Sequence, residues 1–215
     1  MAARRGRDER SPAAPRRGEN YAGRSRSERA SDRRARIITA AVHLFGTRDY
    51  DDVTVADVCA GAKVSKRYFY EHFADRETLL LVVHREQNNW LLAKVAGAAP
   101  RNPANAEEFL RPMMRTLIAK LIEDPERARV IYVNAPRMET RRRGVLREDA
   151  QHFLPLIGRF TGRPIDRRGQ ERMLLALIAG ISEVIIDWLS RDMTEDPDIL
   201  ADHLTWIATS LLAAR

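Results

Sequence analysis

One cysteine among 215 residues, Cys59, cannot close an intrachain disulfide, which excludes the cross-linked scaffold of a small secreted domain. Apolar stretches are short as well. The longest, Met173 to Ile181, ends at Ser182 and Glu183, well under the roughly 20 residues that a bilayer crossing needs, so no membrane partner is expected. The first 34 residues carry repeated arginines and no apolar run, hence no hydrophobic segment of a signal peptide, and the expected address is the cytoplasm. Catalytic signatures are missing too: there is no Walker loop, no nucleophile elbow and no HExxH. The histidines, His43, His72, His84, His152 and His203, show no metal-ligand spacing. Neither an enzyme, a metal nor a cofactor is expected. No run alternates β-branched with polar residues, so a sheet has no source.

What remains is a chain with 44% hydrophobic and 31% charged residues, the balance of a globular protein with a sizeable core. Its formal charge of +7 is unevenly spread. Residues 1 to 34 hold 11 arginines against 5 acids, whereas the rest is nearly balanced at 26 basic and 25 acidic residues. The basic segment 1–31 has too little apolar surface to offset its chain entropy, and a disordered tail able to touch phosphates is expected there.

From Asp32 the periodicity turns helical. Ile37, Ile38, Ala41, Leu44 and Phe45 follow Ser31 and Asp32 as N-cap residues, and this first helix stops near Gly46. Thr54 caps a short second helix with Asp57 in its first turn, ending at Gly61. Ser65 caps a third, Lys66 to His72. Two short helices separated by such a turn form a helix-turn-helix. A longer helix from about Asp75 to Gly97 follows, then Ala106–Glu123, one from Pro125 to about Asn134, an apolar helix Asp149–Phe160, and two strongly periodic ones, Arg167–Arg191 and Asp198–Ala214. The chain therefore reads as all α with about nine helices: a helix-turn-helix domain at 32–76 and a larger helical domain at 77–215.

The order of these first elements, with VSKRYFYEHFADRETL at Val64 to Leu79, resembles the tetracycline-repressor (TetR) family of bacterial transcription regulators. The likeness spans residues 36 to 80 and is carried by Ala40, Ala41, Leu44, Phe45, Thr54, Val64, Ser65, Tyr70, Phe73 and Leu79. It implies a dimeric, ligand-responsive repressor that reads a palindromic operator in double-stranded DNA and is released by a small-molecule inducer. The alternative is a DNA-binding or architectural factor with no such ligand.

In a helix-turn-helix the N-terminal residues of the recognition helix lie over base edges. Lys66, Arg67 and Tyr68 occupy that turn, and Ser65 caps it. Arg67 and Lys66 can donate to guanine, and Tyr68 can meet a base edge or a thymine methyl. Tyr70 and His72 match the family's phosphate-contacting positions. Thr54 and Arg76, at helix starts, are further phosphate candidates. Lys63 stands where the family usually has glycine, so either the turn differs slightly or Lys63 accepts a strained positive φ, and it adds a positive charge beside the backbone. The resemblance also implies that the last two helices pair with their mates in a homodimer. Trp90, Phe109, Met113, Tyr132, Asn134, His152 and Trp188 are the candidates to line an inducer cavity.

Overall fold

The computed structural model describes residues 25–134 and 166–213, with 144, 147, 149 and 151 between them. Eight α-helices and no strand occur among the described residues. They are α1 (Arg26–Thr47), α2 (Val55–Ala62), α3 (Lys66–Tyr70), α4 (Arg76–Gly97), α5 (Ala106–Glu123), α6 (Pro125–Arg129), α7 (Arg167–Ser190) and α8 (Pro197–Ala213). The expected helix 149–160 falls mostly outside the described residues, though Asp149 and Gln151 are helical.

Caps explain most boundaries. Ser25 accepts from the Glu28 N–H while Glu28 reaches back to the Ser25 N–H, a reciprocal capping box that starts α1 six residues before the expected position. Residues 26–31 are therefore helix and not tail. Thr54 and Asp57 form the same box on α2; the hydrogen bonds from Thr54 hold the Asp57 carboxyl below its ordinary range. Asp75, Asn105 and Asp166 cap α4, α5 and α7. Pro125 opens α6 as anticipated, but regular helix stops at Arg129 and the chain widens into a π turn, Val130–Asn134.

Two apolar cores result. Ile37, Ala41, Phe45, Val58, Phe69 and Phe73 fill the first, sealed by Leu79, Leu80 and Val83 of α4 and by Val130 of the π turn. The second packs α5 against α8 and α7, with Phe109, Met113, Leu117, Leu174, Ile185, Trp188 and Leu204 at its centre and Leu91 and Val95 of α4 on its edge. One helix, α4, thus belongs to both cores. Cys59 lies in the first, where burial raises its thiol pKa and keeps it an inert apolar filler.

A second junction joins the two halves. Gly46 at the end of α1 meets α6 so closely that an added Cβ would lie 2.5 Å from the Glu126 Cβ and 2.8 Å from its backbone Cα and carbonyl oxygen. No side chain fits there. Around this contact Glu126 meets the His43 Nδ1 at 3.0 Å, and Arg129 pairs with Asp49.

Candidate nucleic-acid interface

The third helix is five residues long, too short to persist on its own, and its place is fixed by what it buries. Phe69 is fully buried and Phe73 nearly so; their rings stand 5.9 Å apart in the first core. Pinning position 69 inward turns 67, 68 and 70 away from the core by helical geometry. Lys66, Arg67, Tyr68 and Tyr70 are all exposed, with 57% of Tyr70 open to solvent. Among the described residues Arg67 makes an exposed i,i+4 pair with Glu71 at 3.4 Å, an interaction worth about 0.2 to 1 kcal/mol and readily exchanged for a base or phosphate.

Of the two alternatives for the turn before this helix, the structure takes the strained one. Lys63 adopts φ 53°, ψ 49°, the left-handed conformation usual for glycine, and its N–H reaches the carbonyls at the end of α2. Its side chain is exposed. The Ser65 hydroxyl accepts from the Tyr68 N–H at 3.5 Å and starts α3.

Three of the proposed phosphate contacts sit differently. Arg76 is turned inward: its Nη1 donates to the Val53 carbonyl at 2.5 Å, and its guanidinium lies 4.0 Å from the Tyr50 ring centroid. It clamps the α1–α2 connection, so a phosphate there would have to break that clamp. The Thr54 hydroxyl is committed to its box, donating to Asp57 Oδ2 at 2.6 Å. His72 is half-buried beside Phe73, and its Nε2 finds no hydrogen-bond partner among the described residues.

The sequence reading missed a set of cations on α1. Arg29, Arg33 and Arg36 recur at helical spacing on the flank that looks toward the α2–α3 turn. Arg36 donates to the Lys63 carbonyl at 3.4 Å, and the Arg33 guanidinium covers the Tyr68 ring at 4.3 Å. The signal was there as an i, i+4, i+7 repeat, but an α1 begun at Asp32 placed Arg29 in the tail.

Of the proposed inducer contacts, Met113 and Tyr132 line a cavity of about 70 Å³ between α4, α5 and α7. Leu92, Met114, Leu117, Leu177, Ile178 and Ile181 supply most of its wall, with Asn88, Asp149 and Ser182 as polar groups. Asn88 donates to Asp149 Oδ1 at 2.8 Å. Burial, reinforced by the Asp149 charge, pushes the Tyr132 phenol up, so the ring stays neutral. Phe109 and Trp188 are ordinary core away from the cavity wall. Trp90 packs at the surface under Arg127, whose guanidinium lies 3.7 Å from the ring. Asn134 faces the other domain: its amide donates to the Phe45 and Arg48 carbonyls and accepts from the Tyr50 N–H at 2.9 Å. His152 lies outside the described residues.

His84, on α4 between the two cores, is 4% exposed; burial first and Arg85 second lower its pKa to about 4. The unfolded chain then binds this proton more tightly than the folded one. Stability should fall as pH drops from about 6.5 to about 4, by up to roughly 1.4 kcal/mol per unit. Denaturant melts of the wild type and His84→Gln across this range check it; identical slopes would assign the loss to other groups.

Residues 37–83 match the family model described as bacterial regulatory proteins, tetR family. A tetR-family transcriptional regulator from Streptomyces coelicolor superposes with a TM-score of 0.65 at 17% identity, over 84% of this chain and 80% of that one. The fatty acid degradation regulator FadR from Bacillus halodurans gives 0.63 at 17%, over 85% and 95%. FadR from Bacillus subtilis, solved in complex with stearoyl-CoA, gives 0.58 at 18%, over 82% and 97%. At such identities the likeness is one of fold. No curated protein matches the chain by sequence.

Proposed function

We propose that this chain, a transcription regulator of the tetR family by its N-terminal domain, is a homodimeric repressor that reads a palindromic operator and is released by a small molecule. The observation that carries the DNA contact is the exposed turn Lys66–Arg67–Tyr68 held over the buried Phe69 and Phe73. It offers donors and a ring edge at the position where such helices read the major groove.

Dimerisation through the last two helices is supported by their unspent apolar surface. The most apolar 18-residue window of α7 has a mean hydropathy of 1.8, yet only 28% of it is buried within one chain. By length and composition alone that helix could cross a membrane. Here one stripe of it, Leu174, Leu177, Ile181 and Ile185, faces the second core, and a partner would cover the remainder. Trp206 and Ile199 on α8 are 68% and 52% exposed. Gly180 has open space where a side chain would stand, which suits close approach of a second helix. A twofold dimer then presents two reading heads to two half-sites about one helical turn apart, or a multiple of it.

The inducer would enter the cavity beside α4. Its walls favour an apolar body with one polar end toward Asn88 and Asp149. At about 70 Å³ the cavity is smaller than the roughly 300 to 1,000 Å³ that ligand sites occupy, so a ligand of ordinary size must widen it. Asn88, Leu92 and Val95 of the wall lie on the helix whose first turns seal the reading head, so widening moves both together. A coupling of about 1 to 3 kcal/mol is typical of such switches. The small volume also favours a second reading, a regulator that answers to no small molecule.

Selection of genomic fragments by the purified protein, including the region upstream of its own gene, is the test. Recovery of a palindromic site bound about a thousandfold or more over random DNA is expected. Weak, salt-sensitive binding without sequence preference would defeat the proposal. With that site in hand, Arg67→Ala should lose about 1 to 3 kcal/mol on it and little on random DNA. An equal loss on both would remove Arg67 from base reading. Compounds nominated by the neighbouring genes, screened for release of the DNA, separate the two readings of the C-terminal domain.

A further inference from the structure

A groove of about 320 Å³ runs between the N-terminal half of α1 and the start of α3. Four cations line it: Arg29, Arg33 and Arg36 from α1 and Lys63 from the turn. Asp32 is the one acid among the described residues on its wall, leaving a formal surplus of three positive charges. From this geometry we infer that the groove seats a phosphate of the operator backbone, making α1 a DNA-contacting element in its own right. The inference rests on the DNA-binding reading above and extends it to residues outside the helix-turn-helix.

Ala40 lies 3.3 Å from where a Gly61 Cβ would stand, so α1 and α2 touch closely at that level. One turn toward the N-terminus Arg36 comes over the α2–α3 turn, and one further turn brings Arg33 over Tyr68. The stripe that packs the helices together thus leaves the core beside the base-reading turn. The capping box at Ser25 keeps these turns helical, which prevents the arginines from dispersing.

The four cations have unequal roles. Arg33 is committed to the Tyr68 ring and forms the floor, fixing that ring next to the groove. Arg36 and Lys63 are exposed and Arg29 half-exposed, so their charged ends can converge on one anion at the rim. Four cations against one acid leave the groove a formal surplus of positive charge, and a phosphate seated there releases condensed counterions from the DNA. A guanidinium pair suits phosphate because its planar donors match two oxygens at once.

The test uses the full chain and an operator fragment obtained as above. Affinity is measured across salt concentrations for the wild type and for Arg29→Gln/Arg36→Gln, which keeps most of each side-chain stem. Removal of one phosphate contact should lower the slope of log K against log salt by about 0.9 and weaken operator and random DNA by the same factor. Operators carrying a single uncharged methylphosphonate are scanned in parallel. In the wild type one position per half-site should weaken binding, and in the double variant that position alone should lose its effect. An unchanged slope, or an undiminished methylphosphonate effect at every position, overturns the inference while leaving the DNA-binding reading intact. A wild type that binds no DNA overturns both. A circular-dichroism melt of the double variant, together with the single Arg36→Gln protein, separates loss of the contact from loss of the helix.

Discussion

Phe69→Ala is expected to cost about 3 to 5 kcal/mol and to abolish selective operator binding, because it removes the anchor of the recognition helix. The side chain is fully buried, its ring 5.3 Å from Tyr70 and 5.9 Å from Phe73. A five-residue helix gains almost nothing from its own hydrogen bonds, since nucleation absorbs them. Its orientation is therefore the orientation of that ring. Without it Lys66, Arg67 and Tyr68 lose a shared frame, and the difference between operator and random DNA should collapse even where some nonspecific affinity survives. The second core lies elsewhere in the chain and should retain its fold. Chemical denaturation paired with binding to operator and random DNA checks this. Phe69→Leu, which keeps most of the volume, should cost less than about 1.5 kcal/mol and restore selectivity. A Phe69→Ala protein that still selects the operator would show that α3 is held by something other than its buried ring.

Asn134→Ala should lower stability by about 2 to 4 kcal/mol. Its side chain serves three backbone groups at once: the carbonyls of Phe45 and Arg48 at the end of α1, and the N–H of Tyr50 just beyond. Alanine leaves these groups unserved where water reaches poorly, Asn134 itself being fully buried. At roughly 2 to 4 °C per kcal/mol for a chain of this size, melting should fall by about 5 to 15 °C. Asn134→Asp should not rescue, because a carboxylate retains the acceptor for Tyr50 but turns lone pairs toward two carbonyl oxygens. The functional consequence is separable from the thermal one. With the joint loosened, the amide of Tyr50 should exchange faster, and an inducer should lose part of its leverage on DNA affinity. Unchanged exchange at Tyr50 and unchanged melting would mean that this amide does not carry the junction.

The helices were legible in the chain wherever a local rule decides. The approximate bounds Ala106–Glu123 agree with the structure, where Asn105 caps the helix and the four-residue apolar repeat runs its full length. The left-handed conformation of Lys63 was one of two alternatives that the sequence left open, since a lysine stands where glycine is usual. The start of α1 was misplaced because two serines, Ser25 and Ser31, compete as caps. Only the reciprocal bond from Glu28 settles on the first. The π turn at Val130–Asn134 had no signal of its own; regular helix would have continued the same pattern.

Among the functional residues the division is sharper. Sequence alone determined that the chain is helical, that a short third helix carries Lys66, Arg67, Tyr68 and Tyr70, and that its N-terminal portion resembles that of the tetR family. Those features depend on neighbours within a turn or two, where spacing and capping act directly. Tertiary structure decided the rest. It turned Arg76 onto Tyr50 and the Val53 carbonyl, spent Asn134 on a junction 84 to 89 residues away along the chain, and left Met113 and Tyr132 facing the cavity. It also gathered Arg29, Arg33, Arg36 and Lys63 into one groove. A polar side chain of any of these types can serve a ligand, a nucleic acid or its own backbone with equal chemistry. Which of them it serves depends on what the fold brings within 3 Å of it, and the local sequence holds no record of that distance.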